Sequence, residues 1–196
     1  GRAATALAME ATIAEWRRPG SSCRGALVWM LKDFVAGAGW GVIDSTGAPK
    51  LAWHALRRAF RPVQVALTDE GLDGLAIHLL NDTAAPIQAK LSLLCLRDHA
   101  VPVLRREREI ELAPRSNRTL SSAALIGSFF DITYAYHFGP APLDATIVTL
   151  DDAATGDRLG EALHFPLGAQ TPVPESGLEI ELVRDSAGWA LRLQAA

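Results

Sequence analysis

Cysteine is scarce in this chain, and the positions of the few cysteines exclude the sites that cysteine usually builds. Only Cys23 and Cys95 occur among the 196 residues. They lie far apart and neither belongs to a Cys-x-x-Cys pair, so neither a disulfide framework nor a zinc site has support. We interpret both as free thiols. Free thiols are more typical of a bacterial cytoplasmic or periplasmic protein than of a secreted protein with disulfides. They do not distinguish the cytoplasm from the periplasm.

A strong charge of either sign and long apolar runs are also missing. The formal net charge is −3, which gives no electrostatic basis for binding nucleic acid or an anionic membrane. No apolar run approaches the ~20 residues that span a bilayer. The first residues lack the basic-then-apolar order of a signal peptide. We therefore expect neither a nucleic acid nor a membrane as a partner.

The motifs that hold metals and cofactors are absent as well. The histidines, at positions 54, 78, 99, 137 and 164, show no metal-ligand spacing. Ser21 and Ser22 lack the G-x-S-x-G elbow of serine hydrolases. The cluster "GAGWG" is not followed by a helix at the distance that a nucleotide loop requires. We expect no metal and no organic cofactor.

What the chain does contain is enough apolar sequence for a core. Hydrophobic residues make up 49% and charged residues 21% of the chain, as in globular proteins. Alanine-rich residues 3–16 carry apolar positions at helical spacing and predict a helix. The continuous apolar run 25–31 predicts a strand buried on both faces, as in a parallel sheet. Pro49 is placed to open a second helix that ends near Phe60.

The predicted strand is unusual because of what stands in it and after it. The run "RGALVWMLKDF" has Trp29 in its middle and Lys32 and Asp33 at its exit. A lone strand between two helices does not complete an α/β domain, because a parallel strand needs neighbours on both edges. The chain therefore has the pattern of a domain that is incomplete at its first end.

After Arg61 the periodicity changes to two. Seven short runs alternate between apolar and polar residues and are separated by turn-like stretches: "VQVAL", "LAIHLLN", "IQAKLSLLCL", "VLRREREIEL", "FDITYAYHF", "ATIVTL" and "EALHFPL". In "LRREREIEL" one strand face carries an arginine and three glutamates, which indicates a solvated face. This number of strands predicts an immunoglobulin-like antiparallel β-sandwich over residues 63–170.

The last residues, 171–196, predict a linker and a hairpin. Pro172 and Pro174 are typical of a linker, and two alternating strands flank the turn-like "DSAG". One hairpin cannot bury a core by itself. It must pack on the sandwich or open a further β domain that is truncated here.

Three stretches of the sequence resemble a known family: "EWRRPGSSCRGALVWMLKDF", "GWGVIDSTGAPKLAWHALRRAFRPVQVAL" and "HLLNDTAAPI". They are similar to the C-terminal part of the β-mannosidases of glycoside hydrolase family 2. The positions that match the family motif are Gly25, Trp29, Leu31, Asp33, Trp40, Asp44, Gly47, Pro49 and Lys50. Met30 and Lys32 depart from the usual Gln and Asn. The resemblance is specific over residues 15–86 and rests on strand order elsewhere.

The resemblance implies a mainly β protein in which residues 1–62 are the last helix-strand-helix elements of a (β/α)8 catalytic barrel. Substrate sites of such barrels lie at the C-terminal ends of the strands. Trp29 would then form the floor of a sugar subsite, and Asp33 and Lys32 would contact polar neighbours or sugar hydroxyls. The alternative is a core tryptophan followed by a solvated strand end.

The resemblance also implies retaining hydrolysis of a terminal β-mannoside or related glycan without a cofactor. Such enzymes use two carboxylates about 5 to 5.5 Å apart. In the family both precede the strand of Trp29, and Glu10 and Glu15 lie within the first helix. We therefore expect no catalytic residue in this chain, and expect the rest of the barrel to be its partner. The alternative function is a non-catalytic carbohydrate-binding or interaction sandwich.

Overall fold

The computed structural model describes residues 2–98, 100–168, 177–185 and 188–195. The fold is mainly β, as predicted. The chain divides into two compact units, Gly1–Pro166 and Leu167–Ala196. The boundary predicted at residue 63 lies inside the first unit and stays a prediction. The boundary predicted at 170, the linker prolines and His99 lie outside the described residues.

Two helices form a small core with the loop between them. Helix α1 spans Arg2–Arg17 and helix α2 spans Leu51–Ala59, which confirms both predicted helices. Their buried side chains pack together with the loop residue Val42 and are Ile13, Ala52, Leu56 and Ala59. The buried alanines of this core, Ala52 and Ala59, both lie on α2 and leave room for the close approach of α1. The Arg17 guanidinium joins this core to the following strands, because it donates to the carbonyls of Ala59 and Arg61 and to Asp82.

The rest of the first unit consists of seven antiparallel strands in two sheets. The strands are β1 (Val63–Asp69), β2 (Leu75–Asn81), β3 (Ile87–Arg97), β4 (Val101–Leu112), β5 (Ser116–Ser121), β6 (Ala145–Asp152) and β7 (Arg158–His164). One sheet has the order β1-β2-β5 and the other β4-β3-β6-β7. A short 3-10 turn at Gly71–Asp73 joins β1 to β2. A five-residue helix, α3, follows β5 at Ser122–Ile126.

The two sheets share one apolar core. Ile77 and Leu79 from the first sheet and Leu91, Leu93 and Val148 from the second are all fully buried in the same cluster. Every second residue of β3 points into this core, which is the alternation that predicted the strand. Strand β4 lies at a sheet edge, and its charged stretch from Arg105 to Glu109 is exposed. The solvated face that the sequence indicates is therefore present.

Among the strands after Arg61, one predicted strand is wrong and one real strand was missed. Residues 129–138 form turns, because Tyr134 and His137 adopt positive φ angles that a strand does not allow. The missing strand is β5, "SNRTLS", which pairs with β2 along its whole length. Its pattern is too polar to predict a strand, because it lies at a sheet edge and buries only Leu120 among its side chains.

The strand predicted at residues 25–31 is also wrong. These residues have no regular secondary structure, and Leu27 is fully exposed. The stretch makes one isolated parallel bridge, between Lys32 and Ile43. A parallel strand needs hydrogen-bonded neighbours, and the described residues supply only this bridge at the end of the run.

The second unit contains the predicted hairpin. Strands β8 (Leu178–Asp185) and β9 (Gly188–Ala195) pair in antiparallel register, with Ile180 opposite Leu193. The turn residues between the two strands lie outside the described residues. Among the helices that the structure describes, none is both long and apolar enough to cross a bilayer.

Candidate functional site

Three short backbone segments lie side by side around the predicted site. The Asp33 N–H donates to the Ile43 carbonyl at 3.0 Å, and the Ile43 N–H donates to the Leu31 carbonyl at 2.9 Å. The Lys50 N–H donates to the Val42 carbonyl at 2.9 Å. These bonds fix the residues around Asp33 even though no regular strand forms there.

The Asp33 carboxylate is the centre of a closed hydrogen-bond cluster. Its side chain is only 4% exposed. The carboxylate accepts hydrogen bonds from the ammonium of Lys50 and, at 2.7 Å, from the Gly41 N–H. Lys50 also donates to the Gly39 carbonyl at 3.1 Å. We name this set of four residues, Asp33, Gly39, Gly41 and Lys50, the Asp33 latch.

The latch keeps Asp33 ionised. The hydrogen bond from Lys50 lowers the pKa of the Asp33 carboxyl below its ordinary value, and the Gly41 N–H acts in the same direction. Burial opposes both effects without reversing them. An anionic Asp33 ties the 33–41 loop to the start of helix α2 because Lys50 is the N-cap residue of that helix.

Two positions of the latch, Gly39 and Gly41, leave no room for a side chain. A Cβ atom on Gly39 would lie 2.2 Å from Asp33 Oδ1, and one on Gly41 would lie 2.6 Å from the Asp33 backbone nitrogen. Either contact is closer than two such atoms can approach. The glycine-rich sequence of this loop is therefore explained by the close packing of its backbone on Asp33.

Asp44 builds the turn that follows the latch. Its Oδ1 accepts hydrogen bonds from the Thr46 hydroxyl at 2.7 Å and from the N–H groups of Thr46 and Ala48, each at 2.9 Å. These bonds, the hydroxyl bond above all, lower the pKa of the Asp44 carboxyl. Asp44 thus acts as a structural residue that fixes the "DSTG" turn before helix α2.

The backbone held by the latch carries an exposed row of large apolar side chains, which we name the apolar rim. Trp29 is 81% exposed and Trp40 is 79% exposed. The other members of the rim are also exposed and are Leu27, Leu31, Phe34 and Val35. So many exposed apolar side chains in one short stretch mark a surface for a partner or a ligand.

The structure separates the three predicted site residues. Trp29 lies on the apolar rim, and the peptide bond between Trp29 and Met30 is cis. The Lys32 side chain is exposed, whereas Asp33 is buried. The charge partner of Asp33 is Lys50 rather than Lys32. The roles of Trp29, Lys32 and Asp33 toward a sugar stay predictions.

The organising role of Lys50 and the two glycines is not evident from the sequence. Lys50 lies 17 positions from Asp33, and nothing in its local sequence indicates an ion pair at that separation. The signal that could have found it is the glycine-rich loop between the two residues, because glycines allow the chain to double back closely on a side chain.

Other candidate sites are less developed. An open cleft of about 680 Å³ lies beside α1 and is lined by residues that include Trp16, Arg18, Cys23 and Phe60, but none of the three predicted site residues. Glu10 and Glu15 on α1 pair with Arg58 and Arg18, respectively. In the part of the chain that the structure describes, no group of three or more histidine, cysteine or acidic side chains is placed to hold a metal ion.

Comparisons with known proteins identify the class of protein that this chain resembles. No protein-family model matches the chain. A 55-residue stretch is 40% identical to β-mannosidase B of Thermothelomyces thermophilus and covers 28% of this chain and 6% of that protein. A 66-residue stretch is 35% identical to β-mannosidase B of Aspergillus niger and covers 32% of this chain and 8% of that protein. The resemblance to β-mannosidases is therefore confirmed over a part of the chain.

Solved structures extend the likeness to nearly the whole chain. A β-D-mannosidase from Dictyoglomus thermophilum matches 99% of this chain and 23% of its own, with a TM-score of 0.75 and 18% identity. An exo-chitosanase from Amycolatopsis orientalis matches 99% of this chain and 25% of its own, with a TM-score of 0.66 and 10% identity. At these identities the likeness shows the fold. The chain spans about a quarter of each of these enzymes.

Proposed function

We propose that this chain is the C-terminal part of a retaining β-mannosidase-like glycoside hydrolase. In this proposal residues 1–62 complete the catalytic (β/α)8 barrel and form one wall of the sugar site. Residues 63–170 form an immunoglobulin-like sandwich that supports the barrel, and residues 171–196 lead into a terminal β domain. The strand order β1-β2-β5 facing β4-β3-β6-β7 supports the immunoglobulin-like assignment.

The observation that carries the proposal is the apolar rim on a fixed backbone. The latch residues Asp33 and Lys50 hold the loop, while Trp29 and its neighbours face solvent. Exposing so much apolar surface costs free energy, which contact with the remaining barrel elements offsets. The rim thus has the composition of a barrel interior that lacks its other strands.

Trp29 is the residue of this wall that contacts the sugar. An indole ring offers a flat apolar face that suits the C–H face of a pyranose. Asp33 does not contact the sugar in this proposal but holds the loop that carries Trp29. Its carboxylate accepts hydrogen bonds from Lys50 and Gly41, and its burial keeps it out of reach of a sugar hydroxyl. Lys32 is exposed at the loop edge and would reach a sugar hydroxyl from there.

The chemistry itself requires two carboxylates, and the two acidic residues of helix α1 are already paired with arginines. Retaining hydrolysis uses one carboxylate as nucleophile and one as general acid and base, about 5 to 5.5 Å apart. Glu10 and Glu15 are engaged with arginines on the surface of α1. In this proposal both catalytic carboxylates come from the preceding part of the barrel.

The test is hydrolysis of an aryl β-mannoside by the 196-residue chain and by a polypeptide extended upstream along its reading frame. We expect activity only in the longer polypeptide. There, Trp29→Ala should lower kcat/KM by about tenfold or more, because it removes the aromatic contact with the sugar. Trp189→Ala, which alters an exposed tryptophan of the hairpin, is the matched control. Activity of the 196-residue chain alone would overturn the proposal.

A further inference from the structure

A second exposed aromatic surface lies on the sandwich, outside the region already described. Phe129 is 70% exposed, Phe138 is 78% exposed and Tyr136 is 36% exposed. All three lie in the segment that joins α3 to β6, within its first part, residues 127–140, which we call the 127–140 loop. We name this set of three residues the aromatic ridge.

The rings of the aromatic ridge are in mutual contact. Tyr136 and Phe138 stack with ring centroids 5.7 Å apart and an interplanar angle of 28°. Phe129 meets Tyr136 edge to face at 5.2 Å. Both geometries are favourable aromatic pairs. The ridge is therefore a continuous aromatic surface and not three separate exposed side chains.

The backbone under the ridge is fixed by hydrogen bonds. The Tyr136 N–H donates to Asp131 Oδ2 at 3.1 Å, and the Tyr134 hydroxyl donates to the Gly139 carbonyl at 2.7 Å. The Thr133 hydroxyl donates to the Gly71 carbonyl at 2.8 Å, and the Tyr136 hydroxyl donates to the Leu72 carbonyl at 3.3 Å. These bonds attach the loop to the 3-10 turn between β1 and β2, so the ridge is formed before any ligand arrives.

The loop has the composition of a surface for an uncharged ligand. Asp131 is the only charged residue between positions 127 and 140, and one of its oxygens is already occupied by Tyr136. A preformed aromatic surface with few charges suits the apolar faces of pyranose rings, because it loses little conformational entropy on binding. The loop has no lysine or arginine, so an anionic ligand would find no counter-charge on it.

We propose that the aromatic ridge is a glycan-binding surface that holds sugar units of a β-linked oligosaccharide away from the reacting bond. Phe138 and Tyr136 contact the faces of one pyranose ring or of two successive rings. Phe129 packs edge to face on Tyr136 and holds that ring in place. The choice of a β-linked glycan as the ligand rests on the proposed function, whereas the ridge itself rests only on the exposure and order of these rings.

The test is binding of a soluble β-linked manno-oligosaccharide to the full 196-residue chain, measured by calorimetry and by NMR shifts of the aromatic ring protons. We expect Phe138→Ala combined with Phe129→Ala to weaken binding by about tenfold. Trp189→Ala is the control for loss of an exposed aromatic side chain elsewhere. Circular dichroism of each variant shows whether the sandwich is folded.

Trp29→Ala separates this inference from the proposed function. Binding that is lost in the ridge variant and kept in Trp29→Ala supports the ridge. Binding that is lost only in Trp29→Ala overturns the ridge and leaves the proposed function standing. Absence of binding to the unchanged chain also overturns it. Light scattering adds a further outcome, since a dimer that dissociates on Phe138→Ala would mean that a second copy covers the ridge.

Discussion

The sandwich and the loop that carries the apolar rim are both rich in large apolar residues, but they bury them to opposite extents. Leu91 and Leu93 of β3 are fully buried between two sheets, whereas Leu27 and Trp29 face solvent. The sandwich has two layers that cover each other's apolar faces. The rim has a fixed backbone but no second layer among the described residues. The difference shows that local hydrogen bonds can order a loop without providing a core.

The largest expected effect tests whether the shared core holds the sandwich together. Leu91→Ala removes a fully buried side chain between the sheets and should lower the free energy of unfolding by about 3 kcal/mol. Leu27→Ala removes a fully exposed leucine and should change it by less than about 0.5 kcal/mol. Urea unfolding followed by far-UV circular dichroism measures both. Equal effects of the two variants would contradict the contrast between the regions.

A second prediction concerns the order of the rim loop. Gly41→Ala should destabilise the latch by about 2 kcal/mol, because the new Cβ would meet the backbone of Asp33 and Lys32 at 2.6 to 2.8 Å. Gly25→Ala is the control, since nothing lies within 4 Å of a Cβ at that position. Hydrogen exchange of the Asp33 and Ile43 amides is the measurement. Unchanged exchange in Gly41→Ala would show that the latch does not order the loop.

A third prediction concerns the attachment of the helices to the sandwich. Arg17→Met removes the donor to the carbonyls of Ala59 and Arg61 and should cost about 1 kcal/mol. Arg58→Met breaks only an exposed pair with Glu10 and should cost less than about 0.5 kcal/mol. Thermal unfolding monitored by tryptophan fluorescence is suitable, because four of the five tryptophans lie in residues 1–62. A larger loss of stability in Arg58→Met than in Arg17→Met would contradict the role of Arg17 in attaching the helices to the strands.

The smallest effect at neutral pH involves His78, a buried residue of strand β2. Its Nε2 contacts the Thr68 hydroxyl at 2.8 Å, and that hydroxyl donates to Glu70, which also pairs with Arg18. The Thr68 hydroxyl donates its only hydrogen to Glu70, so it must accept the hydrogen bond from His78. We therefore assign the imidazole proton of His78 to Nε2. Burial lowers the pKa of His78 below 6.5, and the Arg18 charge acts in the same direction, against Glu70 and Glu15.

The sign of the pH effect follows from this lowered pKa. The unfolded chain binds the proton more readily than the folded one, so stability is full above about pH 6.5 and is lost as the pH falls toward the folded-state pKa. Burial lowers the pKa of His164 in the same way. We expect His78→Gln to flatten part of this loss in urea midpoints measured from pH 7 to 5. An identical pH profile in His78→Gln would contradict the assignment.

Much of the fold could be predicted from periodicity, but edges and loops could not. Strands β2 and β3 lie between other strands, β2 burying nearly all of its residues and β3 every second one, so their patterns are strong. Strand β5 carries one buried residue, Leu120, and its polar sequence resembles a loop. The 129–138 segment has a strand-like sequence and nevertheless forms turns. The Thr133 and Tyr136 hydroxyls bond to the 3-10 turn, and the N–H groups of Ile132 and Tyr134 bond to carbonyls within the segment.

The roles of the predicted site residues toward a sugar stay predictions. Asp33 was expected beside the sugar site, with a solvated strand end as the alternative, and its side chain is buried against Gly41 and Lys50. The aromatic residues of the 127–140 loop were interpreted as a core strand, and three of them are exposed. The burial of Asp33 and the turns of the aromatic loop cannot be predicted from neighbouring residues alone. Both depend on hydrogen bonds to residues far away in the sequence.

The sequence by itself determined the mainly β architecture, the two helices before it and the resemblance to β-mannosidases. These features depend on local spacing and on motif residues, which the sequence carries directly. Only the tertiary structure decided which apolar side chains are buried and which carboxylates form ion pairs. Burial and ion pairing depend on the approach of distant segments, such as Lys50 to Asp33 and the 3-10 turn to the aromatic loop. The packing of the two sheets buries Leu91, whereas no described segment covers Trp29 or Phe138 in the same way.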